Sequence, residues 1–214
     1  QKMFLKNQPI IMTVNFSKDC ILSSREEISC IVYKIDDYRM VFSAMGNTKF
    51  VVPERTLDYG AYKIIATVYL HGEHVKEVYG VIKGDTSHLV EILPSPLVAY
   101  IKGGENRSVG YETSFNLDGS QSHDPDSSSP FSDPRLLFRW YCKVLHSSGN
   151  YIGCYNNDYL IHFSESKVFI TDSANMVQGK TYIFRLEVTK VNRKASFEQR
   201  VLIVAGTPPK VVIR

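Results

Sequence analysis

Residues 50–70 read FVVPERTLDYGAYKIIATVYL, and residues 168–188 repeat the same pattern as VFITDSANMVQGKTYIFRLEV. In each stretch a short apolar strand leads through a turn to a glycine, and a tyrosine then opens a longer strand with alternating apolar residues. Gly60 aligns with Gly179 and Tyr62 with Tyr182, at a spacing of 119 to 120 residues. A repeat of this length predicts two domains of one kind in succession.

The glycine and tyrosine of each copy fit a tyrosine corner between two strands of an immunoglobulin-like β-sandwich. In this turn the tyrosine hydroxyl bonds back to the backbone across the corner. The alternative interpretation is a plain glycine turn before a strand. Because the pattern occurs twice in register, we expect corners at Gly60 with Tyr62 and at Gly179 with Tyr182.

The composition places the chain among globular proteins. Of its 214 residues 43% are hydrophobic and 22% charged, which excludes collagen-like, coiled-coil and wholly disordered chains. The net charge is +3 with no clustered basic stripe, so nucleic acid is not an expected partner. Apolar residues recur at close to period two and no stretch predicts a helix. The predicted fold is all-β, with two tandem immunoglobulin-like or fibronectin-III-like sandwiches.

A proline-containing segment, EILPSP, separates the two copies. Pro94 and Pro96 remove backbone donors and stiffen the chain, which is typical of a junction. We therefore expect a first sandwich over residues 1–93 and a second over 94–206, with strands predicted at 75–83 and 97–102 on either side of the junction. The tail GTPPKVVIR resembles LPSPLVAYI after the junction, so residues 207–214 are expected to begin a truncated third domain of a longer array.

The strand at 136–145 carries the strongest core signal of the second copy. Alternation puts Phe138, Trp140, Cys142 and Val144 on one face. An inward tryptophan on the third strand is what a sandwich of this kind uses at its centre. We therefore expect Trp140 to be a buried structural residue.

The four cysteines form no CxxC motif and have short local spacings, which favours two disulfides over a zinc site. The expected pairs are Cys20 with Cys30 and Cys142 with Cys154. Two N-x-S sequons, at Asn15 and Asn106, also indicate an extracellular, oxidising context. The N-terminus lacks the apolar core of a signal peptide, and no apolar run reaches the ~18 residues of a membrane span. The expectation is a soluble piece of a secreted-type chain.

The stretch FNLDGSQSHDPDSSSPFSDPRLLFRWYC over residues 115–142 supplies a family resemblance. It resembles the L-D-x-S-x-S-x-D-P-D and W-x-C pattern in the extracellular region of the polycystin-1 and sperm receptor-for-egg-jelly family. There the pattern belongs to the egg-jelly receptor (REJ) module, and similar strings occur in polycystic-kidney-disease (PKD) repeats. The resemblance covers residues 95–205 well, and residues 1–93 only through the repeated corner.

The resemblance implies a non-enzymatic cell-surface module for adhesion, ligand binding or force transmission. Its implied partners are neighbouring ectodomain modules, an extracellular protein or glycan ligand, and a TRP-type polycystin channel subunit that passes calcium. The implied location is the extracellular side of a membrane, for instance at a cilium or on sperm. The alternative is a glycan-binding accessory module of an extracellular enzyme, with Tyr151, Tyr155 and Tyr159 as its aromatic cluster.

The search for chemistry finds no nucleophile elbow, phosphate loop or zinc-protease motif, so neither enzyme activity nor a cofactor is expected. Asp118, Asp124 and Asp126 lie within nine residues and raise the question of a calcium site. Their spacing fails the EF-hand pattern, since no bidentate glutamate follows at the required distance. We expect a structural role instead: Asp118 ends its strand, Ser120 and Ser122 bond nearby amides, and Asp124 caps the Pro125 turn. Calcium is the open alternative.

Overall fold

The structure is a computed structural model that describes residues 1–17, 25–71, 82–154 and 166–206, together with the backbone of residues 160–164. Within these residues the chain forms fifteen β-strands and two short 3₁₀ helices, Pro130–Ser132 and Ser173–Asn175. The strands are β1 (Lys2–Leu5), β2 (Ile10–Thr13), β3 (Arg25–Lys34), β4 (Met40–Met45), β5 (Lys49–Val52), β6 (Gly60–His71), β7 (Ile82–Leu93), β8 (Asn106–Gly110), β9 (Ser114–Asp118), β10 (Leu137–Leu145), β11 (Tyr151–Gly153), β12 (Leu160–Ser164), β13 (Val168–Asp172), β14 (Thr181–Lys190) and β15 (Arg193–Val204).

The first compact unit is Gln1–Ser95. Its larger sheet has the order β1-β7-β6-β3-β4, and its smaller sheet pairs β2 with β5. All neighbours are antiparallel except β1, which runs parallel to β7. Inward residues of both sheets form one core, so the unit is a β-sandwich. Its buried core residues are Ile10, Ile28, Cys30, Val32, Phe50, Val52, Leu57, Tyr62, Ile64, Val90 and Ile92.

The second compact unit is Pro96–Arg214. Its larger sheet has the order β11-β10-β14-β15-β8, with β12 also on β10, and its smaller sheet pairs β9 with β13. Here β8 is parallel to β15. The core again combines both sheets, as the predicted immunoglobulin-like or fibronectin-III-like sandwich requires. Its buried residues are Leu97, Ile101, Val109, Phe115, Leu117, Leu136, Phe138, Trp140, Cys142, Val144, Met176, Tyr182, Phe184, Leu186, Val188, Val201 and Ile203.

The predicted all-β class is confirmed, but several strand limits were wrong. Strand β7 continues through Leu93, where the sequence indicates a junction, because its last residues pair with β6 and with β1. Residues 97–102 form no strand; Val98 makes an isolated bridge to His123, although Leu97 and Ile101 point into the core. The beginning of the strand predicted at 75–83, and residues 207–214, lie outside the described residues.

Candidate functional site

The loop after β9 carries the three aspartates for which the sequence leaves a turn or a calcium site open. Asp118 ends β9, and its Oδ1 accepts a hydrogen bond from the Ser120 N–H at 2.9 Å. Asp124 Oδ1 accepts one from the Asp126 N–H at 3.1 Å across Pro125. Both contacts are the local turn contacts that short acidic side chains make with nearby amides.

Asp124 also takes part in a buried group of ions. Lys190, which ends β14, donates from Nζ to Asp124 Oδ2 and to Asp133 Oδ2, the latter at 2.6 Å. Arg193, which begins β15, donates two parallel hydrogen bonds from its guanidinium to Asp124, at 2.9 and 2.7 Å. It donates a third to Asp126 at 3.3 Å. The hairpin tip between β14 and β15 is therefore tied to the loop after β9 by charge-assisted bonds.

Arg135 completes the group. Its guanidinium bonds both oxygens of Asp133, at 3.1 and 3.3 Å, and its backbone N–H bonds the same carboxylate at 3.0 Å. Three carboxylates thus meet three cations, so the group carries no net formal charge. We call these six residues the ion cluster: Asp124, Asp126, Asp133, Arg135, Lys190 and Arg193.

Most of the ion cluster lies away from solvent, although the side chain of Arg135 is 70% exposed. The carboxylate of Asp124 is 0% exposed, that of Asp133 1% and the ammonium side chain of Lys190 7%. Burial by itself opposes ionisation of Asp124, but the bonds from Arg193 and Lys190 outweigh it and lower the pKa of Asp124 to about 2. Burial likewise opposes ionisation of Asp133, but the hydrogen bonds from Arg135 and then from Lys190 outweigh it and lower the pKa of Asp133. Both carboxylates are charged at every physiological pH.

These contacts use the carboxylate oxygens that a calcium ion would need in the acidic loop. Asp124 and Asp126 already bind cationic side chains, and Asp118 is directed to the Ser120 amide. A divalent ion there would have to displace Arg193 or sit beside it at like charge. Among the described residues, no group of three or more His, Cys, Asp or Glu side chains is arranged to hold a metal ion.

The basic half of the ion cluster was not predicted from the sequence. Lys190 and Arg193 lie 66 and 69 residues from Asp124, so no local pattern connects them. A weak signal was present in the second Asp-Pro pair, Asp133 with Pro134, and in the two basic residues that flank the turn of TKVNRK. An acidic turn and a basic hairpin tip in one small domain are candidates for pairing.

Ser122 hydrogen-bonds the segment that follows the junction to the loop after β9. Its buried hydroxyl accepts the Tyr100 N–H at 3.0 Å and donates to the Tyr100 carbonyl at 3.1 Å. Val98 and His123 exchange two backbone bonds of 2.9 Å beside it. The Ser122 hydroxyl thus satisfies the backbone groups of Tyr100 that a neighbouring strand would otherwise bond. Residues 97–102 therefore stay extended without forming a strand.

Both predicted corners bring the tyrosine hydroxyl back to the backbone. Tyr62 Oη donates to the Asp58 carbonyl at 2.9 Å, whereas Tyr182 Oη accepts the Val177 N–H at 2.8 Å. Gly60 and Gly179 have φ of 126° and 80°, in the region that favours glycine. Both tyrosine rings are buried, so the corners close one end of each core.

Trp140 lies at the centre of the second core and is fully buried. Its ring stacks near Phe169, with 6.5 Å between centroids. Gly119, the glycine of LDGSQS, lies against it: a Cβ at Gly119 would stand 2.6 Å from Leu186 Cδ2 and 3.3 Å from Trp140 Cζ2. The glycine of the motif is therefore required by close packing rather than by a positive φ.

The disulfide Cys142–Cys154 is present, with 5.5 Å between the Cα atoms, and it joins β10 to the residue that follows β11. Cys30 is different. It alternates with Ile28 and Val32 on the core face of β3, where it is a buried free thiol whose pKa is raised by burial. This position counts against the predicted bond to Cys20, which itself lies outside the described residues.

The remaining predicted residues lie on the surface. Asn15 and Asn106, the two sequon asparagines, are both exposed. Tyr151 is 48% exposed, and Lys143 Nζ covers its ring at 5.3 Å from the centroid, so this ring is already occupied by a cation. Tyr155 and Tyr159, the other members of the proposed aromatic cluster, lie outside the described residues.

None of the helices among the described residues has the length and hydropathy of a membrane span.

A model of the REJ domain family matches residues 14–214, so the match includes most of the first unit as well as the second. The chain is 27% identical over 173 residues to the polycystin family receptor for egg jelly of Mus musculus. It is 31% identical over 146 residues to polycystin-1-like protein 1 of Oryzias latipes.

These alignments cover 76% and 64% of the chain but 8% and 5% of the two relatives, so the chain spans less than a tenth of their length. Among solved structures, the amphioxus IgVJ-C2 molecule matches with a TM-score of 0.32 at 14% identity, over 94% of this chain and 99% of that one.

Proposed function

Because this chain belongs to the REJ domain family, we propose that it serves as a non-catalytic extracellular module of a polycystin-like receptor, contributing adhesion, ligand binding or force transmission. The curated relatives it matches are named as receptors or as a polycystin-like protein, which supports a receptor context over an enzyme. Of the three roles, the strand order of both units favours force transmission.

The observation that carries this choice is the parallel pairing of the first and last strands of each large sheet. In the first unit β1 pairs with β7 over Lys2–Leu5, and in the second β8 pairs with β15 over Asn106–Gly110. Tension along the chain pulls the start of the first strand and the end of the last strand in opposite directions. Parallel partners then slide past each other, so their hydrogen bonds are loaded together rather than one at a time.

Pulling the 214-residue chain from its ends tests this proposal. Single-molecule force spectroscopy should show an abrupt unfolding event for each unit, with no early lengthening of the chain. The Lys6 N–H bonds the Leu93 carbonyl, so by alternation the Phe4 N–H also faces β7. Phe4→Pro removes both that bond and the ring and should lower the unfolding force of the first unit clearly.

Phe4→Ala is the matched control, because it removes the ring and keeps the N–H. A force for Phe4→Pro no lower than that for Phe4→Ala would show that the β1–β7 bonds do not bear the load. The proposal would then have to rest on adhesion or ligand binding instead.

The chemistry of the surface fits an extracellular location. The Cys142–Cys154 disulfide is stable in an oxidising compartment, and Asn106 is exposed at the start of an edge strand. We expect glycosylation at Asn15 and Asn106 on secretion from animal cells, seen as a mobility shift that glycosidase removes. Unmodified Asn106 in such material would argue against it.

The partners implied by the family remain part of the proposal. They are neighbouring ectodomain modules, an extracellular protein or glycan ligand, and a TRP-type channel subunit that associates with the whole receptor. The glycan-binding accessory role is the weaker candidate, since the ring of Tyr151 is covered by Lys143. Binding of the chain to a glycan array that disappears in Tyr151→Ala would favour that role.

A further inference from the structure

One row of core residues differs between the two units. Ala66 and Leu186 each lie four residues after the tyrosine of their corner, so they occupy equivalent positions on β6 and β14. In the second unit Leu186 pairs with Trp140 on one side and with Phe197 on the other. These three large side chains pack in the core of that unit, where they fill the space between its two sheets.

The equivalent row of the first unit consists of small side chains. Ala66 pairs with Cys30 on one side and with Thr86 on the other. Cysteine thus stands where the second unit has tryptophan, alanine where it has leucine and threonine where it has phenylalanine. All three residues line a cavity of about 850 Å³ in the first unit. Small-molecule sites in proteins have volumes of about 300–1,000 Å³, so the cavity is large enough to be one.

The walls of this cavity are apolar and come from both sheets. Ile10, Met12 and Val14 line it on the side of β2, and Phe4 and Ile64 line it on the side of the larger sheet. Each of these residues belongs to the core of the first unit or packs against it. An alkyl chain is the kind of group that such walls remove from water.

The mouth of the cavity carries positive charge. Lys2 lies two residues before Phe4 on β1, so alternation puts both side chains on the face that lines the cavity. His88 lines it from β7, two residues before Val90, which is the register partner of Lys2. Among the described lining residues there is no aspartate or glutamate. A carboxylate at this mouth would meet an ammonium group and an imidazole with no like charge beside it.

We propose that this cavity binds a long-chain carboxylate of the fatty-acid class. Its alkyl chain occupies the space beside Cys30 and Ala66, and its carboxylate lies at Lys2 and His88. The apolar walls alone would suit a neutral lipid equally well, so the charge at the mouth is what selects an acid. This inference does not depend on the receptor role proposed above.

Fluorescence titration of the 214-residue chain with parinaric acid, a fluorescent polyunsaturated fatty acid, tests the site. Asn15 borders the cavity, so any glycan is first removed with glycosidase. We expect saturable binding and displacement of the probe by laurate. 1-Dodecanol has the same alkyl chain without the charge and should displace the probe about tenfold less well. Equal displacement by laurate and 1-dodecanol would overturn the assignment of a carboxylate.

Two substitutions test the charge at the mouth. Lys2→Glu should raise the dissociation constant for parinaric acid about tenfold, because it places a carboxylate beside the bound one. Lys63→Glu is the matched control with the same change of charge. Lys63 lies between the buried residues Tyr62 and Ile64, so its side chain is on the opposite face of the sheet, and the dissociation constant should not change. An equal effect of the two substitutions would refute binding at this mouth.

Ala66→Leu tests the position of the alkyl chain. It introduces the residue of the second unit into the row, fills part of the cavity and should abolish binding of the probe, with the fold checked by circular dichroism. Unchanged affinity in this variant would place the site elsewhere. A chain that never binds the probe, but forms a dimer that Ala66→Leu disrupts, would assign the cavity to a second copy and overturn the proposal.

Discussion

Replacing Lys190 with methionine removes the cation that two buried carboxylates share. Lys190 bonds both Asp124 and Asp133, and methionine keeps most of its volume without its charge. Removing one partner of a buried ion pair costs about 3–5 kcal/mol, because the remaining charge stays buried without compensation. Asp124 retains Arg193 and Asp133 retains Arg135, so we expect the lower end of this range, about 3 kcal/mol.

The measurement is urea unfolding at pH 7 followed by tryptophan fluorescence. The chain contains one tryptophan, and Trp140 lies buried in the second unit, so its emission reports that unit alone. Lys143→Met is the matched control in the same unit. Lys143 pairs with Glu198 at 3.1 Å, the two side chains are 33% and 43% exposed, and exposed pairs contribute about 0–1 kcal/mol.

The pH dependence follows from the lowered pKa of Asp124. The folded state holds this pKa at about 2, below the ordinary value of 3.8, so the carboxylate stabilises the folded state above pH 3.8. That contribution, about 2 kcal/mol, is lost as the pH falls from 4 to 2. In Lys190→Met the pKa of Asp124 should be lowered less than in the unmodified chain. The unfolding free energies of the variant and of the unmodified chain should therefore converge as the pH falls. A loss equal to that of Lys143→Met, or a difference independent of pH, would refute the role of the ion cluster.

Other predictions concern packing, the corner and metal binding. Gly119→Ala should destabilise the second unit by about 1–3 kcal/mol in urea unfolding followed by Trp140 emission, because its methyl group would collide with Leu186, and an unchanged free energy of unfolding would mean that the neighbours move aside without cost. Tyr62→Phe should cost about 1 kcal/mol in chemical unfolding by removing the bond to the Asp58 carbonyl, and no loss would mean that the corner bond adds no stability. Excess calcium followed by chelator should leave the melting midpoint unchanged; an increase reversed by chelator would show a cation site that the ion cluster does not explain.

The features predicted correctly from the sequence are local. The corner motif places glycine and tyrosine two or three residues apart, and Cys142 and Cys154 are close enough along the chain to pair across one hairpin. The alternation along β10 also needs no knowledge of partners, because side chains of one strand alternate between faces. The residues of each such pattern lie within about twenty positions of one another, so the sequence alone displays the pattern. Together these patterns indicated the sandwich class.

Features that depend on distant partners were missed. Strand β1 is four residues long, and its pairing with β7 joins residues 88 positions apart, so neither its length nor its composition indicates it. Strand β8 likewise becomes a strand through parallel contact with β15. The segment 97–102 reads as a strand in apolar pattern, yet its amides are satisfied by Ser122 and His123. In each case tertiary contacts, rather than local propensity, decide the backbone state.

The acidic loop shows why the question of calcium could not be decided from the sequence. Several carboxylates close together require positive charge if they are buried, and that requirement was visible in the spacing of Asp118, Asp124 and Asp126. The source of the charge was not visible. A metal ion and a basic hairpin tip satisfy the same electrostatic requirement, and only the closure of β14 and β15 over the loop brings Lys190 and Arg193 within reach. Once the chain supplies its own cations, turn capping and ion pairing are two functions of one side chain, Asp124, rather than alternatives.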